Sequence, residues 1–157
     1  MTVGWAQVSR DAPALAALTE EVLAARRMKT LATLRRDGSP RLSEISGAFV
    51  RDGELWLGLI SSIKERDLDR DPRCGIHCGS PTDDFGASAR VTGRAIRADA
   101  GDVERLGVDL GDPPRFSLFR LDIVEVVVTR PEPETGMILV EWWTPDGGLG
   151  RLTREGG

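Results

Sequence analysis

Met28-Lys29-Thr30-Leu31-Ala32-Thr33-Leu34-Arg35-Arg36-Asp37-Gly38-Ser39-Pro40-Arg41 is the stretch on which the fold class turns. From Met28 the pattern has period two: Thr30, Ala32 and Leu34 share one side of a strand, and Lys29, Leu31, Thr33 and Arg35 share the other. Asp37-Gly38-Ser39-Pro40 stops that strand with hairpin-turn chemistry. Arg41 to Val50 is expected to pair back, Arg51-Asp52-Gly53-Glu54 to turn again, and Leu55, Leu57 and Leu59 to alternate along a third strand. Three antiparallel strands in a meander result.

Upstream, Asp11 to Arg27 reads as one amphipathic helix, capped by Asp11, started by Pro13 and carrying Leu15, Leu18 and Val22 on one face. Downstream, Ser61 to Asp71 reads as a short helix closed by Pro72, with Ser62-Ile63-Lys64-Glu65 matching the capping box in which serine and glutamate satisfy each other's backbone donors. Arg73 to Ser80 is a fourth strand, Pro81 to Gly86 a loop, and Ser88 to Arg97 a fifth strand with Gly93 as a bulge or close-approach point. A helix around Asp102 to Leu110 follows, then a Val-rich strand from Phe116 to Thr129, a turn from Arg130 to Gly136, and a last strand from Met137 to Thr144. Residues 145–157 are a Gly-rich tail. At least seven strands with few helices suggest a mainly β chain closed or partly closed as an antiparallel barrel, because closure removes exposed edges; a sandwich is the alternative. The helix after the third strand is placed to cap one end of a barrel, which favours that reading.

The chain has 157 residues, enough for one domain, so residues 1–157 are read as a single unit with its barrel over 28–144. Apolar residues make up 40% and charged residues 29%, which favours neither disorder nor a membrane class. No apolar run approaches the ~20 residues of a spanning helix, and Met1 to Arg10 lacks the layout of a secretion signal, so a cytoplasmic location is expected. A net charge of −4 argues against nucleic acid as a partner while leaving room for a local basic pocket. Among the basic residues only Lys29 and Lys64 are lysines, which draws attention to both.

Cys74, His77 and Cys78 superficially form a metal or dithiol cluster. On a strand, however, the two cysteines stand roughly 13 Å apart and His77 points to the opposite face, so neither a metal site, a disulfide nor Cys/His catalysis is expected. The thiols read as small core residues and His77 as a possible pocket-lining group.

A helix N-terminus offers free backbone N–H groups and partial positive charge, and Lys64 lies in a first turn behind Ser61 and Ser62. In the meander, the start of the second strand and the exit of the third fall at the same end, so Arg41 can approach the same anion as Lys64. The competing reading is an ordinary cap with a solvated lysine.

Residues Ala24 to Ala98 resemble the pyridoxamine 5′-phosphate oxidase-like superfamily of split β-barrel proteins. The matching runs are Ala32 to Arg41, Asp52-Gly53-Glu54-Leu55-Trp56, and Ser62-Ile63-Lys64-Glu65-Arg66-Asp67-Leu68-Asp69-Arg70-Asp71-Pro72. The resemblance implies an antiparallel split β-barrel of the FMN-binding type, a homodimer, and FMN or the 8-hydroxy-5-deazaflavin coenzyme F-420 held across the dimer interface. It implies that Arg41 and Lys64 contact the cofactor phosphate, that Ser61 and Ser62 lie in the ribityl-phosphate segment, and that Ser46 falls where backbone groups hold the ring edge. Ser88, five positions before Gly93, corresponds to a polar cofactor contact. Glu141-Trp142-Trp143 and Arg151-Leu152-Thr153-Arg154 resemble the aromatic strand and closing segment of the oxidases, making Trp143 a cofactor contact. By packing alone, one indole fills the barrel and the other covers a dimer contact. The closing segment is one residue shorter, and Thr153 stands alone where the oxidases carry His-Asp, so a relative handling another substrate is implied.

A bound flavin or deazaflavin would supply the hard chemistry, leaving the protein to hold the ring and orient a small conjugated substrate, with His77 or Arg154 as candidates for that last task. No protein group is identified as catalytic. The expected activity is hydride transfer by an oxidoreductase, and the alternative is a non-catalytic FMN-binding or ligand-carrier protein. Arg35, Arg36, Arg41 and Arg66 are candidates for a groove holding a deazaflavin's anionic tail.

Overall fold

The computed structural model describes residues 2–79 and 86–156; Ser80 and most of the loop expected at 81–86 lie outside the described residues. Two helices open the chain, α1 (Trp5–Asp11) and α2 (Pro13–Ala25), where the sequence suggested one from Asp11. Ala12 breaks the run at φ −141°, and Pro13, with no N–H to donate, starts α2 rather than continuing α1. Asp11 ends the first helix and caps nothing.

The strands are β1 (Lys29–Leu34), β2 (Pro40–Ile45), β3 (Gly47–Arg51), β4 (Glu54–Ile60), β5 (Arg73–Cys78), β6 (Ser88–Arg97), β7 (Phe116–Glu132), β8 (Met137–Thr144) and β9 (Gly148–Glu155). Helix α3 (Ile63–Arg70) follows β4, and α4 (Ala100–Leu106) follows β6. All pairings are antiparallel. The strand expected from Arg41 to Val50 is two strands joined at Ser46: β2 pairs with β1, and β3 turns to pair with β4. That bend closes a ring, because β1 continues through β5, β6 and β7 back to β4. The far half of β7 leaves the ring to pair with β8, which pairs with β9. The result is an antiparallel split β-barrel with short helices, closed at the β2–β3 bend by chain continuity rather than by a ladder between those two strands.

Inward-facing Leu31, Ile76, Val91 and Leu121 share one core with Trp5, Val8, Leu15 and Val22, so α1 and α2 pack their apolar side into the barrel. A smaller cluster of Trp56, Leu118 and Leu106 fastens α4 outside β4 and β7. The bulge expected at Gly93 is present: the β6–β7 register shifts between Thr92 and Gly93, and a Cβ there would lie 2.2 Å from the Asp122 carbonyl oxygen. Residues 148–155 are a strand, not tail.

Candidate functional site

Helix α3 seats at one end of the barrel through a buried carboxylate. Asp67, 2% exposed, accepts hydrogen bonds from Arg41 Nε at 2.6 Å, Arg70 Nη2 at 2.9 Å and Thr33 Oγ1 at 3.0 Å. Burial alone would raise its pKa, but the donations from Arg41, Arg70 and Thr33 outweigh it and hold the carboxyl at about 2. On the other flank Arg97 reaches Glu65 at 2.9 Å and Asp69 at 2.7 Å while lying over the Phe119 ring. The Ser117 hydroxyl donates to Glu65.

These contacts replace the expected capping box. Glu65 is turned to Ser117 and Arg97, and Ser62, the N-cap of α3 in extended conformation, makes no side-chain cap. The reciprocal box forms instead at Asp99 and Asp102 of α4. Ser62 Oγ is buried without a hydrogen-bond partner, an unsatisfied hydroxyl at a positive helix end. Because Arg97 neutralises Glu65, the acid in the first turn does not cancel that positive character. Lys64 Nζ donates to the Glu44 carbonyl at 3.0 Å and thereby lies across a groove of about 90 Å³ that also includes Met28, Ser46, Gly58 and Ile60. The groove exists because β2 and β3 part at Ser46 while Gly47 and Gly58 pair so closely that a Cβ on Gly47 would stand 2.6 Å from Gly58 O. A phosphate group fits the lysine and the helix start at this groove, whereas the buried Ser62 hydroxyl is not part of its lining. A tricyclic ring does not fit inside so small a groove.

Of the expected residues, Ser46 and Lys64 line this groove, while Ser61 and Ser62 stand at the β4–α3 junction outside its lining. Ser61 sits at the exit of β4 and its side chain reaches Glu65. Arg41, expected to approach the same anion as Lys64, does not line this groove. It lies on the inward side of β2, in register with Thr33, and spends its Nε on Asp67 because α3 brings a carboxylate there. Arg35, Arg36 and Arg66 are exposed. His77 is exposed on the outer side of β5, opposite Thr30, which in turn faces Glu44, so it stands two strands from the groove.

The remaining residues lie elsewhere. Ser88 is nine steps along β6 from Arg97, roughly 30 Å from the α3 end, and pairs with Thr129. Arg154 is exposed on β9 opposite Ile138. Trp143 corrects the expectation of a ring-stacking contact: it is 0% exposed within the main core, and its indole has no free face. Trp142 is the half-buried member, lying over Gly150. Cys74 and Cys78 face inward and are free thiols, with Cys74 pushed up to about 12 by burial, while His77 faces the other way. Asp67 and Arg97, which position α3, were not singled out from the sequence. The signal was the alternating charge of Lys64-Glu65-Arg66-Asp67-Leu68-Asp69-Arg70, which reads equally well as a solvated face.

No family model matches the sequence, and no curated protein matches it. Solved structures do match the fold. PhzG from Burkholderia lata 383, solved with tetrahydrophenazine-1-carboxylic acid, superposes with a TM-score of 0.65 at 18% identity, over 89% of this chain and 88% of that one. A pyridoxamine 5′-phosphate oxidase-related, FMN-binding protein from Nostoc punctiforme PCC 73102 gives 0.63 at 19% identity over 94% and 97%. A heme-binding protein from Mycobacterium smegmatis gives 0.55 at 21% identity over 86% of this chain and 57% of its own.

Proposed function

The fold is the split barrel of the pyridoxamine 5′-phosphate oxidase-like superfamily, and from it we propose that the chain is a flavin- or deazaflavin-dependent oxidoreductase working as a homodimer. The supporting observation is the groove at the start of α3, where Lys64 offers a cationic grip for a phosphate. FMN is the favoured cofactor, with the 8-hydroxy-5-deazaflavin coenzyme as the alternative.

In this reading Lys64 supplies the charge, the first-turn N–H groups of α3 supply directional donors, and Ser61 and Ser46 flank the chain between phosphate and ring. Arg41 acts behind the site by fixing Asp67 and hence the pitch of α3. When bound, the cofactor supplies hydride chemistry to a small conjugated substrate. The ring would lie along the outer side of β2 and β1, where Leu42 is 73% exposed, with a second copy completing the cleft. Ser88 and Arg154, remote from the groove in one copy, would belong to the partner's half, and His77, exposed on β5, would orient substrate from beyond β1. Trp143 has no part unless the core opens.

A non-catalytic carrier is the second reading, favoured by the heme-binding protein that shares the fold. Mixing the cofactor-loaded protein with electron donors and acceptors separates the two: an oxidoreductase shows reduction and reoxidation of the bound chromophore, and a carrier stays redox-silent.

A further inference from the structure

Lys29, the other lysine of the chain, takes no part in the Lys64 groove. Its side chain points to the inward side of β1 and is 6% exposed, and among the described residues its Nζ has one hydrogen bond, to the Arg27 carbonyl at a long 3.3 Å. An ammonium has three donors, and one taken out of water with a single weak acceptor is costly to maintain. Lys29 lines a cavity of about 330 Å³ between α2 and β3. Leu23, Ala48, Phe49 and Val50 supply apolar walls, and Glu20, whose carboxylate accepts from Trp5 Nε1 at 2.6 Å, supplies one negative charge.

We propose that this cavity is a binding site for a small monocarboxylate with an apolar body, the carboxylate accepting from Lys29 Nζ and the body lying against Leu23, Phe49 and Val50. The volume lies at the small end of the roughly 300–1,000 Å³ typical of such sites. A carboxylate fills the vacant donor positions of the ammonium with a charge-assisted bond. Glu20 selects against a second anionic group, so dianions and phosphates are excluded where a monoanion is accepted. The site is distinct from the Lys64 groove: Lys29 pairs with Ile45 and turns inward, while its neighbour Met28 lines that groove. The inference does not depend on the flavin reading.

Calorimetric titration of the purified full chain with phenylacetate and its neutral isostere phenylacetamide tests it. Phenylacetate is expected to bind once per chain and at least tenfold more tightly than the amide. Lys29→Met should weaken it at least tenfold, and Lys64→Ala should leave it unchanged. Ala24→Trp, at an exposed position of α2 lining the cavity, should block it with Lys29 intact, and decides the matter if Lys29→Met fails to fold. Absence of phenylacetate binding, equal binding of acid and amide, undiminished affinity in Ala24→Trp, or loss in Lys64→Ala would each overturn the proposal.

Discussion

Lys64 and Asp67 are one helical turn apart and do opposite things. Lys64 lies across a surface groove, so Lys64→Ala is expected to weaken FMN binding at least tenfold in a titration followed by flavin fluorescence, with the circular dichroism spectrum unchanged. Asp67 is buried beneath Arg41 and Arg70, and Asp67→Ala leaves two guanidinium groups without their shared acceptor. Breaking a buried pair in this way costs about 3–5 kcal/mol, to be read from urea unfolding. The same carboxyl sets a pH dependence. Its folded pKa of about 2 lies below the ordinary 3.8, so its stabilisation is complete above about pH 4 and is lost as the pH falls toward 2. Asp67→Asn, having no proton to gain, should show a flatter stability profile across that window. The helix start that carries Ser62 and Lys64 was legible because a helix after a strand is a local pattern. Asp67 was not, because Glu65, Asp67 and Asp69 look alike until a neighbouring strand decides which one is buried.

At the scale of elements, the bend between β2 and β3 makes both the ring closure and the groove. It depends on the Gly47–Gly58 pair, where backbone meets backbone. Gly47→Val should therefore destabilise the fold by about 1–3 kcal/mol, measured by urea unfolding, since the atom it meets is a carbonyl that cannot swing aside. The period-two reading found β1, β2 and β4 but ran β2 and β3 together, because hydrophobic alternation does not report a change of partner strand. It missed β9 for a different reason: Leu149 and Leu152 are exposed, and the strand has no buried side to leave an apolar pattern. It missed α1 and began α2 two residues early, because Asp11 was taken as the cap of a helix with Pro13 in its first turn, when Asp11 ends α1 and Pro13 starts α2. The Gly93 bulge, by contrast, was visible as a glycine inside a strand pattern.

For the whole molecule, the barrel is filled by its own side chains and the groove at α3 holds no more than a headgroup, so the proposed cofactor ring must lie outside the ring of strands. Exposed Leu42, Ile60 and Ile63 near that end leave an apolar surface for the ring and a second copy to cover. Sedimentation of the purified protein is accordingly expected to give a dimer, and a concentration-independent monomer would remove the shared cleft. Barrel closure was readable in advance from strand number and turn spacing, whereas the separation of Ser88 and Arg154 from Lys64 was not, since it follows from the long path of β6 and β7 across the molecule. Whether the α3 groove grips a phosphate is decided by comparing FMN with riboflavin, which differ only in that group. FMN should bind the wild-type chain at least tenfold more tightly, with the difference abolished in Lys64→Ala; equal affinities for the two flavins in the wild-type protein would contradict the assignment.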